Sequence, residues 1–260
     1  MDLMLENQHV LVTGASQGIG AGLARAFAKE GCRVSLVARS ADKLEALAGE
    51  LRAAHGVRVD VLPLDMTLPG AIAKVIDFAG DADILVNNAG VIPGGTLWEV
   101  DEAAWRQGWE LKVFGYINLT REMYTEMKKR GSGVILNNIG NGGQNFDFNY
   151  IAGSTGNAAL MAFTCALGGR SLEDGIRVVG VNPGPVATER IVKVLKSHAA
   201  HLFGDANRSE ELLAKYPLGR TATVEEVADL FVYLASSRSS YTTGTIVTVD
   251  GGITSKRSVA

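Results

Sequence analysis

The sequence predicts an α/β fold built on one doubly wound parallel sheet with helices on both faces. Three observations predict it. Short β-branched runs alternate with longer amphipathic runs along the whole 260-residue chain. The short runs are nearly continuous in apolar residues, as strands covered on both faces must be. A glycine-rich turn, TGASQGIG, separates the first strand from the first helix, and no fixed-period repeat or linker-like stretch interrupts the remainder of the chain. Right-handed crossovers then place ligands at the carboxyl ends of the strands, and residues 1–260 read as one domain.

The elements can be taken in chain order. HVLVTG is a strand, and a helical run through Lys29 succeeds it. RVSLVA leads into the helix DKLEALAGELRAA, and RVDVLPL leads into AIAKVIDFA. ILVNNAG precedes a long helical segment from Asp101 to Arg130, and GVILNNI precedes another from Ile151 to Leu172. IRVVGVNPG opens onto a helical region, EEVADLFVYLAS comes next, and TIVTVDGG closes the series. Only Thr188 to Leu218 breaks the rhythm, as a long excursion above the ligand edge, and such segments are often lids. It holds His198 and His201, three apart with no third ligand in view, so no metal is expected.

A formal charge of -3 and 47% hydrophobic residues fit one large core. The absence of Lys/Arg clusters argues against nucleic acid as the main partner. Cys32 and Cys165 are too few for a disulfide framework and read as two packed thiols in a reducing compartment. The N-terminus carries Asp2 and Glu6 and lacks the basic-then-apolar order of a signal peptide, and no apolar run is long enough to span a membrane. A cytoplasmic location and a small-molecule partner are the expectation.

In TGASQGIG, Gly14 permits the tight turn, while Gly18 and Gly20 let backbone approach a pyrophosphate at the helix N-terminus. After the second strand, where a carboxylate would chelate a ribose diol and repel a 2′-phosphate, the chain has Ala38, Arg39 and Ser40. A guanidinium takes a phosphate bidentately, so NADP(H) is favoured, with NAD(H) as second choice. Asp65 and Met66, ending the third strand, are placed to flank the adenine.

TGASQGIG, NNAG at Asn87 to Gly90, NPGPVAT at Asn182 to Thr188 and the closing TGTIVTVDGG occur in an order and spacing that resembles the short-chain dehydrogenase/reductases. The similarity covers about Gln8 to Gly252, nearly the whole chain. It implies a single-domain Rossmann fold, a nicotinamide cofactor, a homo-oligomer (tetramer or dimer) and hydride transfer between carbonyl and alcohol. It also implies that the cofactor lies against Gly14, Ser16, Gly18, Ile19 and Gly20, then Asn88, Ala89 and Gly90, and finally Asn157, Pro183, Gly184, Val186 and Thr188.

In that family a tyrosine is the acid/base, a lysine four residues later lowers its pKa and holds the ribose, a serine fixes the substrate oxygen, and an asparagine holds a relay water. Gap-free placement puts Gly153 at the tyrosine position, Asn157 at the lysine, Gly140 at the serine and Lys112 at the asparagine. All four depart from the pattern. Lysine and asparagine are exchanged, which keeps one cation and one amide in the pocket. Lys112 in an apolar wall would have a lowered pKa and serve as acid or oxyanion partner.

Tyr150 is the nearest phenol. If the helix starts early, positions 150, 153 and 157 share one stripe, and Tyr150 sits about 4.5 Å short of the family position, leaning further away. Ser154 shares its face and is a further candidate. Asn138 and Asn141 are candidate donors to a substrate carbonyl, against satisfaction of loop backbone. Glycine at 140 and 153 should leave room for a bulkier substrate. The favoured reading is an NADP(H)-dependent oxidoreductase with a non-standard site, acting on a carbonyl or an activated acceptor. Its alternatives are a non-catalytic NADP(H)-binding sensor or interaction module, and a lyase or epimerase on the same fold.

Overall fold

In the computed structural model, β1 (His9–Thr13) runs parallel between β2 (Arg33–Ala38) and β4 (Ile84–Asn87). The structure describes residues 2–256, apart from the side chains of Ser197, His198 and His201. Beyond these three strands lie β3 (Val59–Pro63), β5 (Gly133–Asn138), β6 (Ile176–Pro183) and β7 (Thr245–Val249), giving a seven-stranded sheet of order β3-β2-β1-β4-β5-β6-β7. The order reverses between β1 and β4, and a crevice opens there at the carboxyl ends.

Alternation along β1 divides the core. Val10 and Val12 are fully buried in the layer with Leu23 and Phe27 of α1 (Gly18–Lys29) and Phe231 of α9 (Val224–Ala235). Leu11 points the other way, into a layer with Val75 of α3 (Ala71–Ala79) and Leu119 and Met123 of α5 (Gly115–Arg130). A period of two on a covered strand makes both faces apolar, which is why the strands read as unbroken hydrophobic runs. The second helix, α2 (Ala41–His55), buries Leu44, Leu47 and Leu51 beside α1.

The Asp101–Arg130 segment is not one uniform helix. α4 (Glu102–Trp109) passes into a π turn over Glu110–Phe114 before α5 begins. Periodicity cannot reveal such a turn, because one extra residue hardly disturbs the apolar pattern. The next helix, α6, spans Ile151–Gly168 and stops short of Leu172, which falls in a 3-10 turn. The Thr188–Leu218 excursion is largely helical, with α7 (Glu189–Phe203) and α8 (Ser209–Leu213) packed through Leu195, Ala199 and Leu212. Cys32 is buried, but Cys165 is exposed on α6, so only one of the two thiols is packed.

Buried polar groups tie the ligand edge together. The Asn87 amide donates to Thr120 Oγ1 (3.0 Å) and Asn137 Oδ1 (2.9 Å), and Asn137 donates to Thr164 Oγ1 (2.9 Å). Asparagines at the ends of β4 and β5 thereby lock α5 and α6 to the sheet, and in a water-free setting each such bond is costly to lose.

At the opposite edge, His9 Nε2 lies 2.8 Å from Ser35 Oγ, and Nδ1 lies 3.1 Å from Asp81. The order Ser-His-Asp is that of a hydrolase, but Ser35 is fully buried inside β2, beyond reach of a substrate. This is a structural pin. Burial lowers the His9 pKa below its ordinary 6.5, with Arg33 adding to the effect against an upward pull from Asp81. Below pH 6.5 the unfolded chain takes up a proton that the folded imidazole resists, so stability is full above 6.5 and declines below it. Thermal midpoints measured from pH 7 to 5 should therefore fall, with a shallower slope in His9→Gln. An equal slope in both would remove His9 from the account.

Candidate active site

The glycine turn is held from beneath by the NNAG segment. The Asn88 amide donates to Thr13 O (2.9 Å) and Gly14 O (3.2 Å), while Thr13 Oγ1 accepts from the backbone N–H groups of Asn88 (3.0 Å) and Ala89 (3.1 Å). Asn138 donates to Asn88 Oδ1 at 2.7 Å. The Asn88 side chain is thus a brace for the loop. A Cβ on Gly20 would collide with Gly14 O and stand 2.5 Å from Asn88 Nδ2, so only glycine lets α1 begin this close to the turn. Gln17 at its start makes no side-chain cap, leaving the first backbone N–H groups to an anion. Ser16 is half-buried on the loop, Ile19 packs into the core, and Thr188, which caps α7, closes over Gly18.

At the β2 end Arg39 is exposed, and Ser40 starts α2 without a side-chain cap. The Asp65 carboxyl accepts from the Thr67 amide (3.0 Å) and hydroxyl (2.7 Å), which hold its pKa below the usual range, with Arg39 adding a smaller pull. Met66 packs against the second core layer. Lys43, which the sequence reading missed, donates to Gln17 Oε1 (2.8 Å) and brings a second cation toward the same corner. Its signal was its place in the first turn of the helix that opens just after Arg39.

At the β4–β5 end the π turn aims Lys112 across the backbone of Gly90, and its ammonium donates to Ile139 O (2.5 Å). Burial pushes the Lys112 pKa down to about 7, and the like charge of Arg190 on α7 adds to this. Asn157 is 3% exposed; its Oδ1 is buried with no partner among the described residues. A Cβ on Gly140 would stand 3.2 Å from Asn157 Nδ2, so the space at 140 is bounded by that amide.

Tyr150 is not on the helix stripe expected of it. It precedes α6, with φ -139° and ψ 37°, and its ring folds forward over Gly153, toward the position it was expected to lean away from. The ring fills the volume vacated at 153, so glycine there does not enlarge the pocket. Ser154 parts company with Tyr150: its hydroxyl accepts from Asp147 N (3.3 Å) and it faces a recess lined by Phe146, Phe148 and Ile151. Asn138 and Asn141 donate not to loop backbone but to side chains distant in sequence, Asn88 and Asp250 (3.2 Å) respectively. Asn157 borders Gly140 and Gly142, Tyr150 borders Gly142, and Lys112 reaches the carbonyl of Ile139 next to Gly140.

A model described as enoyl-(acyl carrier protein) reductase matches residues 14–254. The oxidoreductase UcpA of Salmonella typhimurium is 35% identical, over 98% of this chain and 98% of its own. The L-sorbose reductase of Gluconobacter frateurii, solved with NADPH and L-sorbose, superposes with a TM-score of 0.92 at 34% identity, over 99% of this chain and all of that one. A solved short chain dehydrogenase/reductase family protein is 32% identical, with a TM-score of 0.83 over 98% of this chain and 100% of its own. The chain belongs to the short-chain dehydrogenase/reductase family.

In this short-chain dehydrogenase/reductase the far wall of the crevice is made by the end of β6. Pro183 closes the strand, Gly184 N donates to Val249 O (2.9 Å), and Val186 is buried beside a bridge to Ala222. Gln144, also missed, accepts from Asn182 (3.3 Å) and Thr248 (2.9 Å), anchoring the loop before Tyr150 to β6 and β7. No periodic pattern marks such a residue, because both of its partners are distant in sequence. Among the described residues no three His, Cys, Asp or Glu side chains are grouped to hold a metal, and no helix is long and apolar enough to cross a membrane. The His198 and His201 side chains lie outside the described residues.

Proposed function

We propose that this chain is an NADP(H)-dependent oxidoreductase that interconverts a carbonyl and an alcohol, with its proton held by Lys112. One observation carries the reading. A lysine with its pKa brought to about 7 and the carbonyl of Ile139 as its partner lies next to Gly140, which the Asn157 amide borders on its other side, at the carboxyl ends of β4 and β5. A group tuned so near neutrality both gives and takes a proton.

The chain's residues fit a dinucleotide. The uncapped start of α1 and its glycine turn would take the pyrophosphate, and Asp65 and Met66 would flank the adenine. Arg39, seconded by Lys43, would take the 2′-phosphate, and Asn157, whose Nδ2 borders Gly140 and Gly142, would donate to ribose hydroxyls. Ala89 and Gly90 on one wall, and Pro183, Gly184, Val186 and Thr188 on the other, would enclose the remainder. The bound cofactor supplies or accepts the hydride at the carbonyl carbon. Lys112 delivers one proton to the oxygen during reduction and takes it back during oxidation, so charge and atoms balance. Helices α7 and α8, across residues 188–218, serve as the substrate lid and carry Arg190 toward Lys112.

The α6 face bearing Thr155, Ala159, Ala162, Cys165 and Ala166 is exposed and finely graded in size, and Phe114 on the adjoining π turn is 47% exposed. Small side chains admit close helix approach, so this face suits a second copy in a dimer or tetramer.

Equilibrium titration with NADPH and NADH, read by cofactor fluorescence, tests the assignment. We expect preferential NADPH binding, weakened about 10–100-fold in Arg39→Ala with NADH affinity unchanged, the effect of one charge-assisted hydrogen-bonded pair. A screen of ketoses and polyols, prompted by the sorbose reductase similarity, then seeks turnover. Gly140 and Gly153, which stand where the resemblance places serine and tyrosine, favour a second reading as a non-catalytic NADP(H)-binding protein. NADPH binding without turnover across the screen would select it. If neither cofactor binds, the oxidoreductase reading is lost.

A further inference from the structure

Gly153 and Tyr150 interlock. A Cβ on Gly153 would overlap the phenol ring of Tyr150, with Cε2 2.5 Å away and Cζ and Cε1 closer still. No side chain of any size fits at 153 while the ring is there. A Cβ on Gly142 would stand 3.4 Å from both Tyr150 Cδ1 and Asn157 Nδ2, so ring edge and amide both border that residue.

The turn that delivers the ring is built with care. Asn149 N donates to the Asp147 carboxylate (2.8 Å), Tyr150 N donates to Asp147 O (3.0 Å), and Asp147 N donates to Ser154 Oγ (3.3 Å). From the other side Gly95 N donates to Asn149 O (2.7 Å), making a short bridge between the segment after β4 and Tyr150. Four hydrogen bonds thus set the backbone of Tyr150, and among the described residues its hydroxyl has no partner. A ring so firmly seated, carrying a donor without a partner among the described residues, is pre-organised for a ligand.

We propose that the empty side-chain position at 153 is a slot. The phenol of the preceding turn fills it and presents its hydroxyl as hydrogen-bond donor to the substrate oxygen that Lys112 protonates. Gly153 and Ser154 are then positioning residues, and Tyr150 is the one that touches substrate. This rests on the oxidoreductase reading and adds to it a second donor at the reacting oxygen.

Tyr150→Phe keeps the ring in its slot and removes only the donor. We expect its kcat to fall by about 10²-fold, the usual cost of a lost oxyanion donor, with KM, NADPH affinity and thermal midpoint little changed. Gly153→Ala displaces the ring, so its kcat should fall at least as far. In a Tyr150→Ala background the same alanine should have almost no further effect, because the slot is already empty. Ser154→Ala should lower kcat less than Tyr150→Phe. Wild-type kcat and pH profile in Tyr150→Phe would overturn the proposal while leaving the oxidoreductase reading intact. Additive losses from Gly153→Ala and Tyr150→Ala would overturn the interlock alone. A wild-type protein that binds NADPH and reduces nothing would overturn both readings.

Discussion

Lys112→Met is expected to slow carbonyl reduction by about 10²–10⁴-fold, the usual contribution of a positioned proton donor, and to bind NADPH nearly as well as the wild type. The wild-type profile should carry the signature of the same group. Reduction needs the ammonium, so its rate should fall as pH rises through about 7, and oxidation, which needs the free amine, should rise over the same range. The methionine variant should lose both limbs.

Stability should move in the opposite direction from the rate of reduction. Folding lowers the lysine from its ordinary 10.5 to about 7, so between those values the unfolded chain holds a proton that the folded one has released. The Lys112 contribution to stability therefore falls as pH drops from 10.5 to 7 and is level below. Methionine carries no such cost, and at pH 7 the variant should be more stable by about 2–4 kcal/mol, discounted from about 1.4 kcal/mol per tenfold because the Lys112 side chain as a whole is half-buried. Denaturant midpoints across this range and steady-state rates in both directions check the two halves. A methionine variant with wild-type turnover would mean that the proton comes from elsewhere.

Gly20→Ala should weaken both the fold and cofactor binding. Its Cβ would meet the backbone of Gly14 and the amide of Asn88, neither of which is a flexible chain end. The start of α1 must then withdraw from the turn, breaking the bonds from Asn88 to Thr13 and Gly14. We expect a loss of about 3 kcal/mol, at the upper end for overpacking, and NADPH binding weakened by at least about 10-fold as the pyrophosphate cradle opens. Isothermal titration and urea unfolding read the two losses separately. Unchanged NADPH affinity in a folded variant would show that the cradle is not where the cofactor sits.

Much of this architecture was legible in the residues alone. Unbroken apolar strands such as VLV at 10–12 demand cover on both faces, and TGASQGIG is readable because its glycines act within a few residues of each other. The positions of Lys112 and Asn157 followed from the family resemblance, placed without gaps against NNAG and NPG. What each side chain does there could not be counted. The π turn at Glu110–Phe114 aims Lys112 over Gly90, yet leaves no mark on periodicity. The phenol of Tyr150 enters the slot at Gly153 because Asp147, Gly95 and Ser154 hold its turn outside the helix, and these partners converge only once the sheet has brought the ends of β4 and β5 together. Local backbone preference and hydrophobic period are short-range and survive in the sequence. Burial, which brings the Lys112 amine to about 7 and strands Asn157 Oδ1 without a partner, is a property of neighbours far along the chain. Only the tertiary structure supplies it.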